Sequence, residues 1–181
     1  MDKRQFDIST IIKSVKKAYC EDMKEFYTSY KLISNNSDPG LRWDFINTNI
    51  NDKLSNDIYK TILVKRGPWK QIIVYNTEDK RLYFVMREYR YKNVKEDKKR
   101  KNLHLIQILG SVNEANENEA SIAFKKKLPE YISKAKEYIL LTYEYNENVN
   151  EFDFICRKIT SKFKCNYKEQ YNSNSISEIA N

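Results

Sequence analysis

Three stretches in the middle of the chain constrain the fold most. Ile58 to Arg66, Trp69 to Asn76 and Arg81 to Glu88 follow a period of two and are rich in β-branched and aromatic residues. Side chains on an extended backbone alternate between faces, so this period predicts strands. The breaks between them, Gly67-Pro68 and Asn76-Thr77-Glu78-Asp79, are turn-forming residues. Strands joined this closely pair antiparallel, because a parallel partner needs a long crossover. The expectation is a three-stranded meander at the centre of the domain.

Helical periodicity flanks it. Ile8, Ile11, Val15, Ala18 (or Tyr19), Met23, Phe26 and Tyr30 line one face of a segment reaching about Ile33, with Asp7 as its expected N-cap and Lys13, Lys16, Lys17 and Lys24 opposite. Its Tyr, Cys and Ala content reads as a core-facing helix rather than a membrane-surface one. After the turn residues SNNSDPG, Trp43, Ile46, Ile50 and Leu54 mark a second helix over Leu41 to Leu54. Leu103 to Val112 predicts a short helix, and Pro129 suits the first turn of another that ends near Lys136. Tyr138 to Tyr145 and Phe152 to Thr160 read as a hairpin around NENVNE. The layout is α+β: a mostly antiparallel sheet, made of the central meander and a C-terminal hairpin, with N-terminal and interstitial helices. At 181 residues and 40% hydrophobic content, the prior is one domain over residues 1–170, followed by a flexible polar tail over 171–181. With only 3 Gly and 3 Pro, a Pro/Gly-rich linker is absent.

Several chemistries lack their parts. His104, between Leu103 and Leu105, is the only histidine, so a Ser-His-Asp or Cys-His triad would depend on a residue set in an apolar run. Zinc sites draw on clusters of Cys and His, and no such set exists here. Gly40, Gly67 and Gly110 are scattered, which excludes a glycine-rich phosphate loop. No cofactor is expected. Cys20, Cys156 and Cys165 form no Cys-x-x-Cys pair, which favours reduced thiols. The start, MDKRQFDISTIIKSVKK, contains no continuous apolar stretch and no window approaches bilayer length. A cytoplasmic protein with no membrane partner is the expectation.

A metal-dependent nuclease needs only carboxylates and a cation. Its candidates are Asp44, Glu78, Asp79 and Glu88, with Lys70 or Arg90 beside them. Glu88-Tyr89-Arg90 is the nearest string to the Glu-x-Lys of restriction-endonuclease-like cores.

Charge points elsewhere. The formal net charge is +8, which favours nucleic acid, a nucleoprotein or an acidic protein face as partner. Between Arg87 and Lys101 there are eight Lys or Arg and three acids, a net of five positive charges. Tyr89 and Tyr91 alternate with Arg90 and Lys92, a pattern in which cations meet phosphates while rings stack on unpaired bases. The candidate nucleic-acid-binding residues are Arg66, Lys70, Arg87, Tyr89, Arg90, Tyr91, Lys92, Lys98, Lys99, Arg100 and Lys101. The competing reading is a solvated rim after an edge strand, where lysine blocks aggregation. A protein-only interaction module is a third possibility.

The stretch LRWDFINTNINDKL, then Arg66-Gly67-Pro68-Trp69, then Met86-Arg87-Glu88-Tyr89-Arg90 resembles an uncharacterised family of small proteins from low-GC Gram-positive bacteria and their phages and mobile elements. NLHLIQILGSVNE and the C-terminal hairpin look like later parts of the same pattern, which would span about Leu41 to Thr160. The resemblance implies a setting rather than a reaction: small phage-linked proteins often bind host nucleic acid or inhibit host nucleoprotein machinery, as an anti-defence or regulatory inhibitor does.

Overall fold

A computed structural model describes residues 3–32, 34, 36–66, 69–97, 104–114, 122 and 130–172. The chain divides into two compact units, with the division between Ile73 and Val74. The strands follow the order β1-β2-β3-β4-β5-β6 in a six-stranded sheet, and the α+β class holds.

The first unit is built on helices α1 (Lys3–Lys17), α2 (Met23–Ser29) and α3 (Asp38–Leu54), followed by β1 (Tyr59–Arg66) and the start of β2 (Trp69–Asn76). Ile8, Ile11, Ile12 and Val15 of α1 are buried, as are Ile46, Ile50 and Leu54 of α3. The predicted stripes hold in part: Ile12 joins them, Phe26 and Trp43 are half-buried, and Tyr30 is exposed. The long first helix is not continuous, however. A π-helical turn, Ala18–Asp22, separates α1 from α2, which ends at Ser29 with the chain extended at Tyr30; Ile33, the expected limit, lies outside the described residues. The π turn brings Asp22 inward, where its carboxylate pairs with Lys17 and accepts from Asn49 Nδ2 at 2.6 Å. Asn49 Nδ2 also donates to the Ser14 carbonyl at 3.3 Å, so one α3 side chain ties both sides of the π turn.

Asp7 does not cap a helix. It lies fully buried inside α1 and accepts from the Tyr59 hydroxyl at 2.5 Å. A buried carboxylate without a donor would be costly, so Tyr59 is its physical counterpart in β1. Asp38-Pro39 opens α3, three residues earlier than expected, with proline in the first turn where its missing N–H is harmless. Asn47 of α3 then reaches β2, donating to the Lys70 carbonyl at 2.9 Å and accepting from the Ile72 N–H at 3.1 Å.

The second unit holds the end of β2, β3 (Arg81–Arg87), α4 (Glu88–Glu96), α5 (Leu105–Gly110), a 3-10 turn (Ser111–Asn113), α6 (Glu130–Ser133), β4 (Glu137–Asn146), β5 (Glu151–Ile159) and β6 (Cys165–Asn172). β4 and β5 form the expected antiparallel hairpin, from Leu140 opposite Arg157 to Asn146 opposite Glu151. β3 and β4 pair parallel, Arg81 beside Glu137 through Arg87 beside Tyr143. That geometry obliges the chain to cross over between them, and residues 88–136 do so, carrying α4, α5 and α6. Strands covered on both faces become apolar runs rather than alternations. Leu82 to Met86 are all buried accordingly, as are Tyr138 to Tyr143.

The crossover is clamped where it re-enters the sheet. Asn113 Nδ2 donates to the carbonyls of Tyr138 and Ile159, both at 2.8 Å, and its Oδ1 accepts from the Tyr138 N–H at 2.9 Å. Glu114 accepts from the N–H and hydroxyl of Ser161. Gly110 packs so closely on the backbone of Thr160 and Ser161 that an added Cβ would lie 2.7 Å from the Thr160 carbonyl carbon. β6, the polar stretch CNYKEQYN, was not anticipated. It pairs antiparallel with β5, and Tyr171 lies opposite Phe154 at 6% exposure. The sheet therefore extends to Asn172, past the expected tail boundary.

Candidate functional site

The densest basic stretch of the sequence begins where β3 ends. Arg87 has extended φ and ψ of −66° and 139°, and Glu88 opens α4. The strand thus stops one residue short of its expected limit, and the charges that follow ride on a helix. A helix turns about 100° per residue, so Tyr89 and Tyr91, which would share a face of a strand, are separated by about 200°. The expected interleaved pair of stacking rings does not form. Tyr89 is 69% exposed and Tyr91 5%.

The inner face of α4 is Glu88, Tyr91 and Val94, spaced by three and all buried. Beneath it lies Arg157 of β5. Its two terminal nitrogens meet Glu88 Oε1 and Oε2, each at 2.8 Å, in a bidentate pair. Thr142 Oγ1 bonds both partners of that pair. The same guanidinium stacks on the Tyr91 ring, 4.6 Å from its centroid, and Phe163 meets that ring edge-on at 6.1 Å. Burial works to raise the Glu88 pKa, but hydrogen bonds from Arg157 and Thr142 and the positive charge of Arg157 prevail, holding it below the usual carboxylate range. Burial pushes the Tyr91 phenol up. Glu88 and Tyr91 are therefore structural anchors rather than a metal ligand and a base-stacking ring.

Tyr89, Arg90, Lys92, Lys95 and Glu96 are the exposed residues of α4, with Arg87 exposed at the cap. Arg90, Lys92 and Lys95 make no hydrogen bond or ion pair among the described residues. Lys98, Lys99, Arg100 and Lys101 lie outside the described residues. Lys70 is exposed on β2 in the first unit. Arg66 closes β1, and its side chain is outside the described set, as are Gly67 and Pro68.

Of the four carboxylates proposed for a nuclease, the three in the second unit do not converge. Glu78 and Asp79 occupy the turn before β3, where both backbone N–H groups bond the Asn76 side chain at 3.1 Å. Glu88 follows the far end of β3, a seven-residue strand, which spans about 23 Å at about 3.3 Å per residue. Asp79 is engaged by Arg81 at 3.2 Å, and Asp44 is exposed on α3. Among the described residues no group of three or more His, Cys, Asp or Glu could hold a metal ion.

His104 caps α5: its Nδ1 accepts from the Ile106 N–H at 3.3 Å, and Gln107 Oε1 returns a bond to the His104 N–H at 3.0 Å. Burial pushes the exposed Cys20 thiol up, away from thiolate chemistry at neutral pH. Among the described residues no helix is long and apolar enough to cross a membrane.

Sequence reasoning missed Arg157 altogether. Its only signal is a cation next to Cys156 in FDFICRKIT, a strand whose Phe152, Phe154, Cys156 and Ile159 are buried. Nothing local connects it to Glu88. No curated protein and no solved structure matches this chain. A family profile does match, over residues 4–172, and the chain belongs to that family, described as a family of unknown function (DUF5986).

Proposed function

We propose that this is a cytoplasmic binding protein whose α4 outer face contacts the phosphates of nucleic acid, free or within a nucleoprotein, without catalysis. One observation carries the reading. Glu88 is turned inward and bonded by Arg157, while Arg90, Lys92 and Lys95 are exposed and make no hydrogen bond or ion pair among the described residues. Cations held in this way attract a polyanion over a distance set by ionic strength. Arg87 stands beside them, and Lys98, Lys99, Arg100 and Lys101 continue the charge along the sequence. Lys70 and Arg66 belong to the first unit and are proposed as nucleic-acid contacts of that unit by itself. The phage or mobile-element setting that the sequence resemblance implies gives such a surface a role, as an inhibitor of a host or defence complex. Metal-dependent cleavage has less behind it, because Glu78 and Asp79 are a strand's length from Glu88.

Labelled RNA and DNA, with and without Mg²⁺, test this directly. Each phosphate neutralised contributes about −0.9 to the slope of log affinity on log salt for duplex, or about −0.7 for single strands. Replacing Arg90, Lys92 and Lys95 together by Ser should flatten that slope by about 2–3 units and leave thermal stability unchanged, since all three are exposed. An unaltered affinity and slope in the triple variant would reduce the charge to a solubilising rim. Strand cleavage in Mg²⁺ would replace the binding reading with the nuclease one.

A further inference from the structure

We propose that Tyr89 is a stacking platform for an unpaired base, so that the α4 face selects single-stranded over duplex nucleic acid. The inference rests on the phosphate-binding reading of that face and adds the class of strand it takes. Tyr89 makes no ring contact, hydrogen bond or ion pair among the described residues. Its neighbour Tyr91 is enclosed by Arg157 and Phe163, so the helix can bury a tyrosine and does so once. The second ring is left at 69% exposure.

Its position matters as much as its exposure. At about 100° per residue, the inner stripe of Glu88, Tyr91 and Val94 leaves Tyr89 near the middle of the outer face. Lys92 follows one turn later on one flank and Arg90 stands on the other, so the ring is bracketed by cations. Side chains a turn apart on a helix lie about 5–6 Å from each other at Cβ, close enough for ring and cation to meet the base and phosphate of neighbouring nucleotides. In a duplex the faces of internal bases are already covered by stacking, so the ring gains nothing there. In a single strand each base offers an open face, and the stack is tolerant of sequence.

Fluorescence anisotropy with poly-deoxythymidine, poly-uridine and a blunt-ended duplex provides the test. The single strands should bind more tightly than the duplex. Tyr89→Ser should weaken single-strand binding about 5- to 100-fold, leave duplex binding and the salt slope unaltered, and leave the melting temperature unaltered. Tyr89→Phe should restore the single-strand affinity. A 2-aminopurine placed in the strand should be quenched on binding the wild type and not on binding Tyr89→Ser. Equal binding of strand and duplex, with Tyr89→Ser changing neither, would overturn this inference and leave the phosphate-binding reading in place. Binding of neither form would overturn both and turn the surface over to a protein partner.

Discussion

Removing the Arg157 guanidinium should be among the most damaging single changes to the second unit. Arg157→Met keeps much of the side-chain volume but leaves Glu88, itself buried, with the Thr142 hydroxyl as its remaining side-chain donor. Breaking a buried pair from one side costs about 3–5 kcal/mol, because the surviving charge is stranded away from water. The loss of the stack on Tyr91 adds to it. Glu88→Gln should cost a comparable amount by stranding the cation. Replacing both, as Glu88→Leu with Arg157→Met, should recover most of the loss, since apolar substitutes for a buried pair are often neutral or stabilising. Urea denaturation reads each value. At a slope of about 2 kcal/mol per molar, either single variant should lower the midpoint by about 2 M. The pH dependence has a definite sign. The Glu88 pKa is lowered in the fold, so its stabilisation is complete above the unfolded value of about 4.3. It is lost as pH falls through the depressed folded value. The double variant should lack that acid-side loss. Single variants costing under about 1 kcal/mol, or costs that simply add in the double, would refute the claim that this pair holds α4 in place.

Two further outcomes concern the packing beneath the site. Gly110→Ala should destabilise the second unit by about 1–3 kcal/mol in denaturant melts, as overpacking does, because its Cβ would meet the Thr160 backbone at 2.7 Å; an unchanged midpoint would mean that the 160–161 segment yields readily. Tyr138→Phe should be neutral or stabilise by up to about 1 kcal/mol, since the buried Tyr138 hydroxyl has no hydrogen-bond partner among the described residues; a clear loss of stability would reveal a partner for that hydroxyl.

Local pattern carried much of the fold and failed where pairing is long-range. Turn chemistry and alternation identified β1, β2 and β3 to within about a residue, and the β4–β5 hairpin is likewise a contact between neighbours in sequence. The parallel β3–β4 pair is not. Its partners, such as Val85 and Leu141, are separated by the whole crossover, and only the continuous apolar runs LYFVM and YILLTY hint that both strands are interior. β6 was hidden for another reason. An edge strand buries little, so CNYKEQYN needs few apolar residues and resembles a tail. The π turn had no sequence signal at all, since Ala18 and Met23 are buried under a continuous helix as well as under the interrupted one.

For the site, charge density was legible and its geometry was not. The string EYRYKNVKE supports two periods at once. Read at two residues, it is a strand whose tyrosines share a face and whose cations line the other. Read at 3.6 residues, it is a helix with Glu88, Tyr91 and Val94 on one stripe. The second reading puts a carboxylate into the core, which is unfavourable until a cation answers it. That cation is Arg157, far along the chain, so no window around residue 88 contains the fact that decides the period. Once the pair forms, the consequences run outward. Glu88 leaves the surface, Tyr91 becomes the seat for the guanidinium, and Tyr89 is left exposed between Arg90 and Lys92. A buried ion pair contributes little net stability for its cost. Here it sets which ring of two is left exposed, and on the proposed reading of Tyr89 the Arg157→Met variant should lose single-strand selectivity along with the fold around α4.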